Sequence, residues 1–366
     1  MVGLIFCAPR LRRMVGAGRS DRDRGWSSNV EQGTEWYRFG GTFLAMDCVD
    51  VAFSSRFGDI YAECAVPAPR DEGLRQVSLR VTALPSEPDL LAVSVNPSLP
   101  DEVDFLRQLV PERGYREWTG GEQGWRMLAL PEAPEEPVFA FGPRELLVSR
   151  RHPWQQMVAM YAISSAFWLE RELFIFHAAS VGLFRKGVLL SGPKEAGKTT
   201  LALCFASRGH SFLGDEWAAV STVSGELLPL RRAASIRPGP RPRELNEYLR
   251  NHSCHRETLP DGRERVRAKV GAALPQAAAQ IVPLTDIFFL RGFSSRPAVE
   301  PFACNAGELP PVSPLLASVW RRSPAQRALD LLRTVGRARW WHLDVGGSPE
   351  ETADIIEETV KEEIWV

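Results

Sequence analysis

The sequence predicts a mixed α/β protein, α+β in its first part, in which a smaller β-rich N-terminal domain precedes an α/β domain. Three observations support this fold class. Short strand patterns separated by proline and acidic turns fill residues 35–149. Two apolar runs flank a charged turn at Arg185-Lys186, which is the pattern of a β-hairpin. A short apolar strand, a glycine-rich loop and a helix then follow one another over residues 187–207.

Length and composition divide the chain into three parts. A chain of 366 residues is long enough for two domains. We expect residues 1–34, which are irregular and rich in arginine, to form a disordered leader. Residues 35–149 would form a small α+β domain of unassigned role, and residues 150–366 the α/β domain. A helix that starts near Trp154, after Pro153, is expected to bridge the two domains.

The composition is that of an ordinary soluble protein, with 44% hydrophobic and 24% charged residues. A net charge of −1 gives no indication of a nucleic-acid or membrane-surface partner. The six cysteines show no paired spacing, which favours a reducing, cytoplasmic location. The most apolar long segment, residues 154–169, is too short to cross a bilayer. We therefore expect a cytoplasmic protein without a nucleic-acid or membrane partner.

Other elements follow from local patterns. Hydrophobic runs predict strands at residues 76–82, 90–95, 284–290 and 340–345. Ser323 stands before Pro324, and Ser348 before Pro349 with glutamates next, which predicts the starts of the last two helices.

Residues 192–199 match the spacing Gly-x-x-x-x-Gly-Lys-Thr of a phosphate-binding loop. Its glycines let the backbone take positive φ and approach a ligand closely. The loop N–H groups, at the N-terminus of the next helix, would bind phosphate oxygens. The alternative is a chance match in a glycine-rich turn, which the flanking strand and helix disfavour. The predicted nucleotide-binding residues are Gly192, Pro193, Lys194, Glu195, Ala196, Gly197, Lys198, Thr199 and Thr200.

Four side chains have predicted roles in binding phosphate and Mg²⁺. Lys198 would reach the outer phosphates, and we expect it to face solvent in the empty loop. The Thr199 hydroxyl would bind Mg²⁺. Asp215 and Glu216 follow a short apolar run, where carboxylates would bind Mg²⁺ and deprotonate an incoming hydroxyl. The alternative for this pair is a solvated acidic turn, and the phosphate loop upstream favours the chemical role.

An arginine- and proline-rich segment at residues 229–243 follows the acidic pair. It would clamp a triphosphate, bind an acidic substrate or form a solvated loop, and the sequence leaves these alternatives open. Arg231 or Arg232 is a candidate for stabilising transferred charge. The histidines and cysteine at residues 252–255 lack a second Cys/His pair at zinc spacing, which favours a loop over a metal site.

Four features occur in a fixed order: a histidine that opens the hairpin, the phosphate loop, an Arg-Gly-His triplet after the loop helix, and the acidic pair. They are His177, residues 192–199, Arg208-Gly209-His210 and Asp215-Glu216. Their order and spacing resemble the catalytic domain of the HPr kinase/phosphorylase family, which has a phosphoenolpyruvate-carboxykinase-like (PEPCK-like) nucleotide-binding fold. The resemblance implies a PEPCK-like P-loop domain with ATP and Mg²⁺ as cofactors. It also implies that His177 contacts the γ-phosphate or positions the acidic pair.

The chain departs from that family in three respects. Its second carboxylate is Glu216 where the family usually has aspartate. The glycine-rich segment that bifunctional members use for dephosphorylation is not found, and the first half does not resemble their N-terminal domain. The chain is thus similar to the broad group of HPr-kinase-related proteins, some of which act in peptide-modification pathways, and HPr is not taken as its substrate.

The resulting prediction is a phosphotransferase, an HPr-kinase-like serine/threonine kinase that transfers the γ-phosphate of ATP to a hydroxyl of a protein or peptide. Asp215, Glu216 and His177 are the predicted catalytic residues, and Thr199 with the two carboxylates the predicted metal ligands. A nucleotide-dependent binding or regulatory module with little turnover, and a small-molecule kinase of the same fold, are the alternatives. The nucleotide base and a homo-oligomeric state are left open.

Overall fold

The computed structural model describes most of the chain from residue 33 onward. The described ranges are 33–71, 73–85, 87–98, 116–120, 125–130, 136–142, 146–151, 154–170, 172–258, 262–302 and 323–362. The predicted leader lies outside them except for its last two residues.

The chain divides into two compact units. The first contains Met1–Ser55 and Val66–Leu169, and the second contains Arg56–Ala65 and Glu170–Val366. The division after residue 169 differs from the boundary after residue 149 that the sequence predicts. It lies later because the helix at residues 155–169 packs on strands of the first unit. The inclusion of residues 56–65 in the second unit has no counterpart in the sequence analysis.

One eight-stranded sheet forms the first unit. Its strands are β1 (Glu35–Phe39), β2 (Thr42–Cys48), β3 (Gln76–Leu84), β4 (Glu87–Asn96), β5 (Arg116–Gly120), β6 (Trp125–Ala129), β7 (Pro137–Phe141) and β8 (Leu146–Ser149). Their order is β1-β2-β3-β4-β8-β7-β6-β5. Only β2 and β3 are parallel neighbours. β3 and β4 confirm the strands predicted at residues 76–82 and 90–95.

Two helices belong wholly or partly to this unit. α2 (Gln155–Leu169) packs on β1 to β4, and the ring of its Phe167 meets Phe39 edge-on at 5.9 Å between centroids. α1 (Val51–Tyr61) lies in the connection between β2 and β3. Parallel strands need such a crossover connection, because a tight turn joins only antiparallel ones. This crossover contains residues 56–65 of the second unit.

A larger sheet forms the centre of the second unit. Its nine strands are β9 (Leu173–Phe176), β10 (Ala179–Leu183), β11 (Lys186–Ser191), β12 (Ser211–Gly214), β13 (Ala218–Ser221), β14 (Glu226–Leu228), β18 (Val282–Ser294), β19 (Ala298–Pro301) and β20 (Arg339–Gly346). β11 and β20 each run parallel to β18. A separate sheet has the order β15 (Ala234–Ile236), β17 (Glu264–Ala268) and β16 (Arg256–Thr258). The mixed α/β class is therefore confirmed, and β18 and β20 confirm the predicted strands at 284–290 and 340–345.

The remaining helices surround these sheets. They are α3 (Lys198–Ser207), α4 (Arg243–Asn251), α5 (Val270–Ala273), α6 (Pro324–Val335) and α7 (Pro349–Lys361). Alternate residues of β11 point to different cores: Val188 and Leu190 join the cluster containing α3 and α7, and Leu189 joins the cluster containing α6. Both faces of the sheet are thus covered. Ser323 and Ser348 form the predicted N-caps of α6 and α7, each with a capping box.

The predicted hairpin is confirmed, with a shift of one residue in its turn. β10 and β11 pair antiparallel from Ala179–Leu190 to Leu183–Lys186. Phe184 and Arg185 form the turn, with φ of 51° and 66°, rather than Arg185 and Lys186. Positive φ at both central residues is typical of the tight turns whose twist matches a hairpin. The apolar run before the turn is divided in two, because β9 pairs with β13 and not with β11.

No helix in the described ranges combines the length and the apolar character that crossing a bilayer requires.

Candidate functional site

The 192–199 loop connects β11 to α3, so it leaves the sheet at the end of a strand and enters a helix N-terminus. Gly192, Glu195 and Gly197 have positive φ, at 150°, 71° and 97°. A Cβ at Gly192 would lie 2.8 Å from the carbonyl oxygen of Leu290, so this position requires glycine. These turns bring the backbone around the start of α3, where the helix dipole favours an anion.

Lys198 does not face solvent, contrary to the sequence-based expectation. Its side chain reaches back into the loop, and Nζ donates hydrogen bonds of 2.8 Å to the carbonyl oxygens of both Gly192 and Pro193. The residue is 8% exposed. Burial lowers the pKa of its ammonium group, although Asp215 and Glu216 oppose this effect. The lysine therefore links the N-terminus of α3 to the first two residues of the loop.

Asp215 lies directly beside the start of α3. The Thr199 hydroxyl donates a hydrogen bond to its Oδ1 over 2.9 Å. Its other oxygen, Oδ2, is buried and accepts no hydrogen bond in the structure. Burial, and then the charge of Glu216, raises the pKa of Asp215. A carboxyl group with a raised pKa and one unused oxygen is suited to accept a proton.

Glu216 has the opposite environment although it is the next residue. Its Oε2 lies 3.0 Å from Nη1 of Arg232 and 3.8 Å from Nη1 of Arg267. Burial alone would raise the pKa of Glu216, but the two guanidinium groups outweigh it and lower the pKa. Within the acidic pair, Asp215 therefore binds a proton readily and Glu216 stays ionised. The turn that carries them lies between β12 and β13, with a φ of 62° at Glu216.

Arg232 is packed behind this pair. It is 8% exposed, and its guanidinium lies 4.8 Å from the ring centre of Trp217 and 5.7 Å from that of Tyr61. Arg231 points elsewhere: its Nε lies 2.8 Å from Oε2 of Glu63. Of the two arginines that the sequence singled out, only Arg232 contacts the acidic pair.

His177 lies between β9 and β10 and is exposed. It is therefore not a buried strand histidine. Partial desolvation, and then the charge of Lys198, lowers the pKa of its imidazole. A neutral ring near pH 7 leaves one nitrogen able to accept a proton or a hydrogen bond.

One cavity of about 440 Å³ contains most of the predicted site. This volume is typical of sites for small ligands. The predicted residues that line it are His177, Lys194, Glu195, Gly197, Lys198, Thr199, Thr200, Asp215 and Glu216. Gly192, Pro193 and Ala196 support the loop without lining the cavity.

Sequence reasoning missed several residues of the cavity wall. Arg263, Phe293, Val345 and Pro349 come from distant parts of the chain and line the same space. Phe293 is 73% exposed, which is unusual for a phenylalanine in a folded unit. The available signal was an aromatic residue just after the strand predicted at residues 284–290, and the structure includes it in β18.

The arginine- and proline-rich segment also reaches the cavity, where Arg237, Pro240 and Arg241 line it. Arg237 forms an ion pair with Glu195 of the loop, and Arg263 Nη2 lies 2.6 Å from the same carboxylate oxygen. This loop carboxylate thus holds two guanidinium groups at the cavity wall. The placement favours the clamp or substrate-binding interpretation over a solvated loop.

Arg208, Gly209 and His210 lie away from the cavity. Arg208 Nη1 donates hydrogen bonds of 2.8 Å to both Asp354 and Glu357 of α7. His210 Nε2 lies 3.3 Å from the Glu357 carboxylate. The Arg208 and His210 side chains therefore link α3 to α7, and the triplet has a structural role.

The donor atoms at the cavity fit Mg²⁺ shared with a nucleotide. Within the described residues, no three histidine, cysteine or acidic side chains cluster as a self-sufficient metal site. Mg²⁺ does not require one, because it is commonly held by one or two carboxylates together with substrate phosphates and water. Oδ1 of Asp215, the neighbouring Thr199 hydroxyl and the ionised Glu216 are hard oxygen ligands of this kind, and Oδ2 of Asp215 stays free for a proton.

Comparisons with known proteins assign no family to the chain. No family profile and no curated protein matches it. Among solved structures, it is similar to the HPr(Ser) kinase/phosphatase from Coxiella burnetii, with 12% identity and a TM-score of 0.26. The match covers 51% of this chain and 93% of that one. A TM-score this low does not establish a shared site, so the argument for function rests on the geometry of the cavity.

Proposed function

We propose that the second unit is an ATP- and Mg²⁺-dependent kinase with a PEPCK-like P-loop fold, transferring the γ-phosphate to a hydroxyl. The acceptor is a serine or threonine of a protein or peptide, as the resemblance to HPr-kinase-related proteins implies. The setting we propose is cytoplasmic, with neither nucleic acid nor membrane as a partner.

The observation that carries this proposal is the environment of Asp215. Its Oδ2 is buried, unpaired and beside a loop with phosphate-binding geometry, and its pKa is raised. Most carboxylates with a purely structural role have both oxygens satisfied, because an unpaired buried acceptor is destabilising. In the proposed reaction, Oδ2 accepts the proton of the acceptor hydroxyl. The hydroxyl oxygen bonds to the γ-phosphorus as the bond to the bridging oxygen breaks and ADP leaves.

Charge stabilisation comes from other groups around the cavity. Lys198 would exchange its two loop carbonyls for phosphate oxygens, and Arg237 and Arg263 supply further positive charge at the wall. Thr199, Asp215 and Glu216 would hold Mg²⁺, which neutralises charge on the phosphates. His177 would contact the γ-phosphate or position the acidic pair.

The test uses the full chain with γ-labelled ATP and Mg²⁺, offered protein and peptide acceptors containing serine or threonine. We expect labelled phosphate on a hydroxyl with the wild type, and loss by a factor of at least about 100 in Asp215→Asn. Arg185→Glu, on the exposed hairpin turn, serves as a control that should keep full activity.

A different result would select an alternative function. Binding of ATP without transfer to any acceptor, and with unchanged binding in Asp215→Asn, would identify a nucleotide-dependent binding module. Transfer to a free metabolite but not to polypeptides would identify a small-molecule kinase. Absence of nucleotide binding would refute the proposal.

A further inference from the structure

A second cavity of about 590 Å³ adjoins the first, and the proposed phosphoryl transfer does not use it. Its charged lining consists of Arg237, Arg241, Arg243, Arg250, Arg256 and Glu264. Five positive charges thus face one negative charge. Because the whole chain has a net charge of −1, this excess is local.

Three of these arginines lack an internal carboxylate partner. Arg237 pairs with Glu195, and Arg243 pairs with Glu247 one helical turn away. Within the described ranges, Arg241, Arg250 and Arg256 form no ion pair. Guanidinium groups that converge on one concave surface without partners repel one another, and they are well placed to bind an anionic ligand.

The floor of this cavity is apolar. Ile236, Leu249 and Val266 line it and are buried. One wall is a face of α4, since Arg243, Asn246 and Arg250 follow at i, i+3 and i+7. The opposite wall includes Arg256 of β16, which pairs with Val266 of β17. The surface therefore combines a cationic rim with an apolar floor.

The two cavities share one wall. Ile236, Arg237, Pro238 and Arg241 line both of them. A ligand in the second cavity therefore lies next to the space where phosphoryl transfer is proposed. An extended chain that occupies the second cavity would have a neighbouring residue at the entrance of the first.

We propose that the second cavity binds an acidic segment of the polypeptide substrate. Carboxylates of the segment would pair with Arg241, Arg250 and Arg256, and an apolar side chain between them would contact the floor. A single-stranded nucleic acid fits less well, because none of the described residues that line the cavity is aromatic, and bases usually stack on aromatic rings. The proposal rests on the proposed kinase function, since it names the substrate of that site.

The experiment measures peptide binding without nucleotide, by fluorescence anisotropy with the full chain. The probe is a fluorescein-labelled peptide of sequence Glu-Glu-Leu-Glu-Glu-Ser-Gly, compared with a counterpart in which glutamine replaces every glutamate. We expect the acidic peptide to bind at least about tenfold more tightly, and to lose affinity between about 50 mM and about 500 mM NaCl. Arg250→Glu combined with Arg256→Glu should weaken binding at least about tenfold, and Arg185→Glu should leave it unchanged.

Folding of each variant is checked by its thermal midpoint. Arg250→Gln with Arg256→Gln is the milder alternative, which keeps the side chains long and removes only the charge. Equal affinity for the acidic and neutral peptides, or undiminished binding by both double variants, would overturn the inference. Tighter binding of an oligonucleotide than of the acidic peptide would also overturn it.

Peptide binding and phosphoryl transfer can fail separately. If the peptide binds through Arg250 and Arg256 but no acceptor is ever phosphorylated, the docking surface stands and the kinase proposal fails. If ATP-dependent transfer is instead equally fast with acidic and neutral peptides and in both double variants, the kinase proposal stands and the docking inference fails.

Discussion

Nη1 of Arg232 lies 3.0 Å from Oε2 of Glu216, and this ion pair gives two adjacent carboxyl groups different pKa values. It keeps Glu216 ionised while Asp215, without such a partner, has a raised pKa. The two methylene groups of the glutamate side chain let this carboxylate reach the buried guanidinium.

Arg232→Leu should both destabilise the protein and inactivate it. Removal of one partner from a largely buried ion pair costs about 3 kcal/mol or more of unfolding free energy. The pKa of Glu216 would rise, so that catalysis would fall further at low pH. Urea unfolding and the pH profile of phosphoryl transfer measure the two effects. Arg231→Leu is the matched control: it loses the pair with Glu63 and should reduce stability without a specific loss of activity.

Asp215→Asn should stabilise the protein relative to wild type as the pH rises. The pKa of Asp215 is about 6 in the folded protein, above the usual value of 3.8, because burial disfavours the ionised form. The native carboxyl therefore favours folding below pH 3.8, and this contribution is lost as the pH rises through 6. The difference in unfolding free energy between variant and wild type should grow by on the order of 2–3 kcal/mol from pH 4 to pH 7. Parallel stability curves would show that Asp215 does not titrate as proposed.

Lys198→Met should weaken the loop even before any ligand is added. Two part-buried hydrogen bonds, from Nζ to the carbonyl oxygens of Gly192 and Pro193, would be lost, at about 1–3 kcal/mol of unfolding free energy in total. Mg²⁺ and ATP at about 100 times the dissociation constant should stabilise the wild type by about 2.7 kcal/mol and the variant much less. Thermal unfolding with and without nucleotide measures both. If the variant is as stable as the wild type and nucleotide stabilises both equally, the role proposed for Lys198 is ruled out.

The two ends of the loop should differ in their tolerance of alanine. In Gly192→Ala, the new Cβ would lie 2.8 Å from the Leu290 carbonyl oxygen, and neither backbone can move easily. In Gly197→Ala, the nearest atom would be 3.7 Å away and only the positive φ is unfavourable. We expect Gly197→Ala to cost about 1 kcal/mol and Gly192→Ala clearly more. Equal losses in urea unfolding would contradict the close approach to Leu290.

Phe293→Ala should weaken ATP binding and leave stability unchanged. Its ring is 73% exposed at the cavity wall, so it contributes little to the core and offers a face to a purine base. Loss of such a contact corresponds to a roughly three- to tenfold increase in Kd, measured by calorimetry. Ile281→Ala removes another exposed apolar residue, outside the cavity, and it should leave the Kd unchanged.

Local patterns were sufficient to predict the loop, the hairpin and the carboxylates at the end of β12. Each depends on a few neighbouring residues whose spacing determines the backbone. The burial of Lys198 was not predictable in this way, because it depends on where the carbonyl groups of Gly192 and Pro193 point. Arg231 and Arg232 were equal candidates for stabilising transferred charge, since a single sequence does not show which of two adjacent side chains faces the acidic pair.

The outer wall of the cavity was beyond prediction for a different reason. Arg263, Phe293 and Val345 are separated from the loop by tens of residues, and parallel pairing of β11, β18 and β20 brings two of them together. Neither composition nor periodicity records which strands become neighbours. The same limit applies to the helix at residues 155–169: its apolar character was visible, but the sheet on which it packs was not.

The crossover between β2 and β3 has a practical consequence for how this protein can be divided. Its residues 56–65 complete the second unit: Ile60 accepts a hydrogen bond from Ala233, Tyr61 stacks on Trp217, and Glu63 binds Arg231 and the N–H of Gly271. A fragment that begins at residue 150 would lose all of these contacts: Tyr61, one of the two rings against which Arg232 packs, would be absent, and Trp217, the other, would be uncovered. The two halves are therefore not interchangeable modules, and any recombination, fusion or truncation of the chain must keep this decapeptide with the half that contains the phosphate loop.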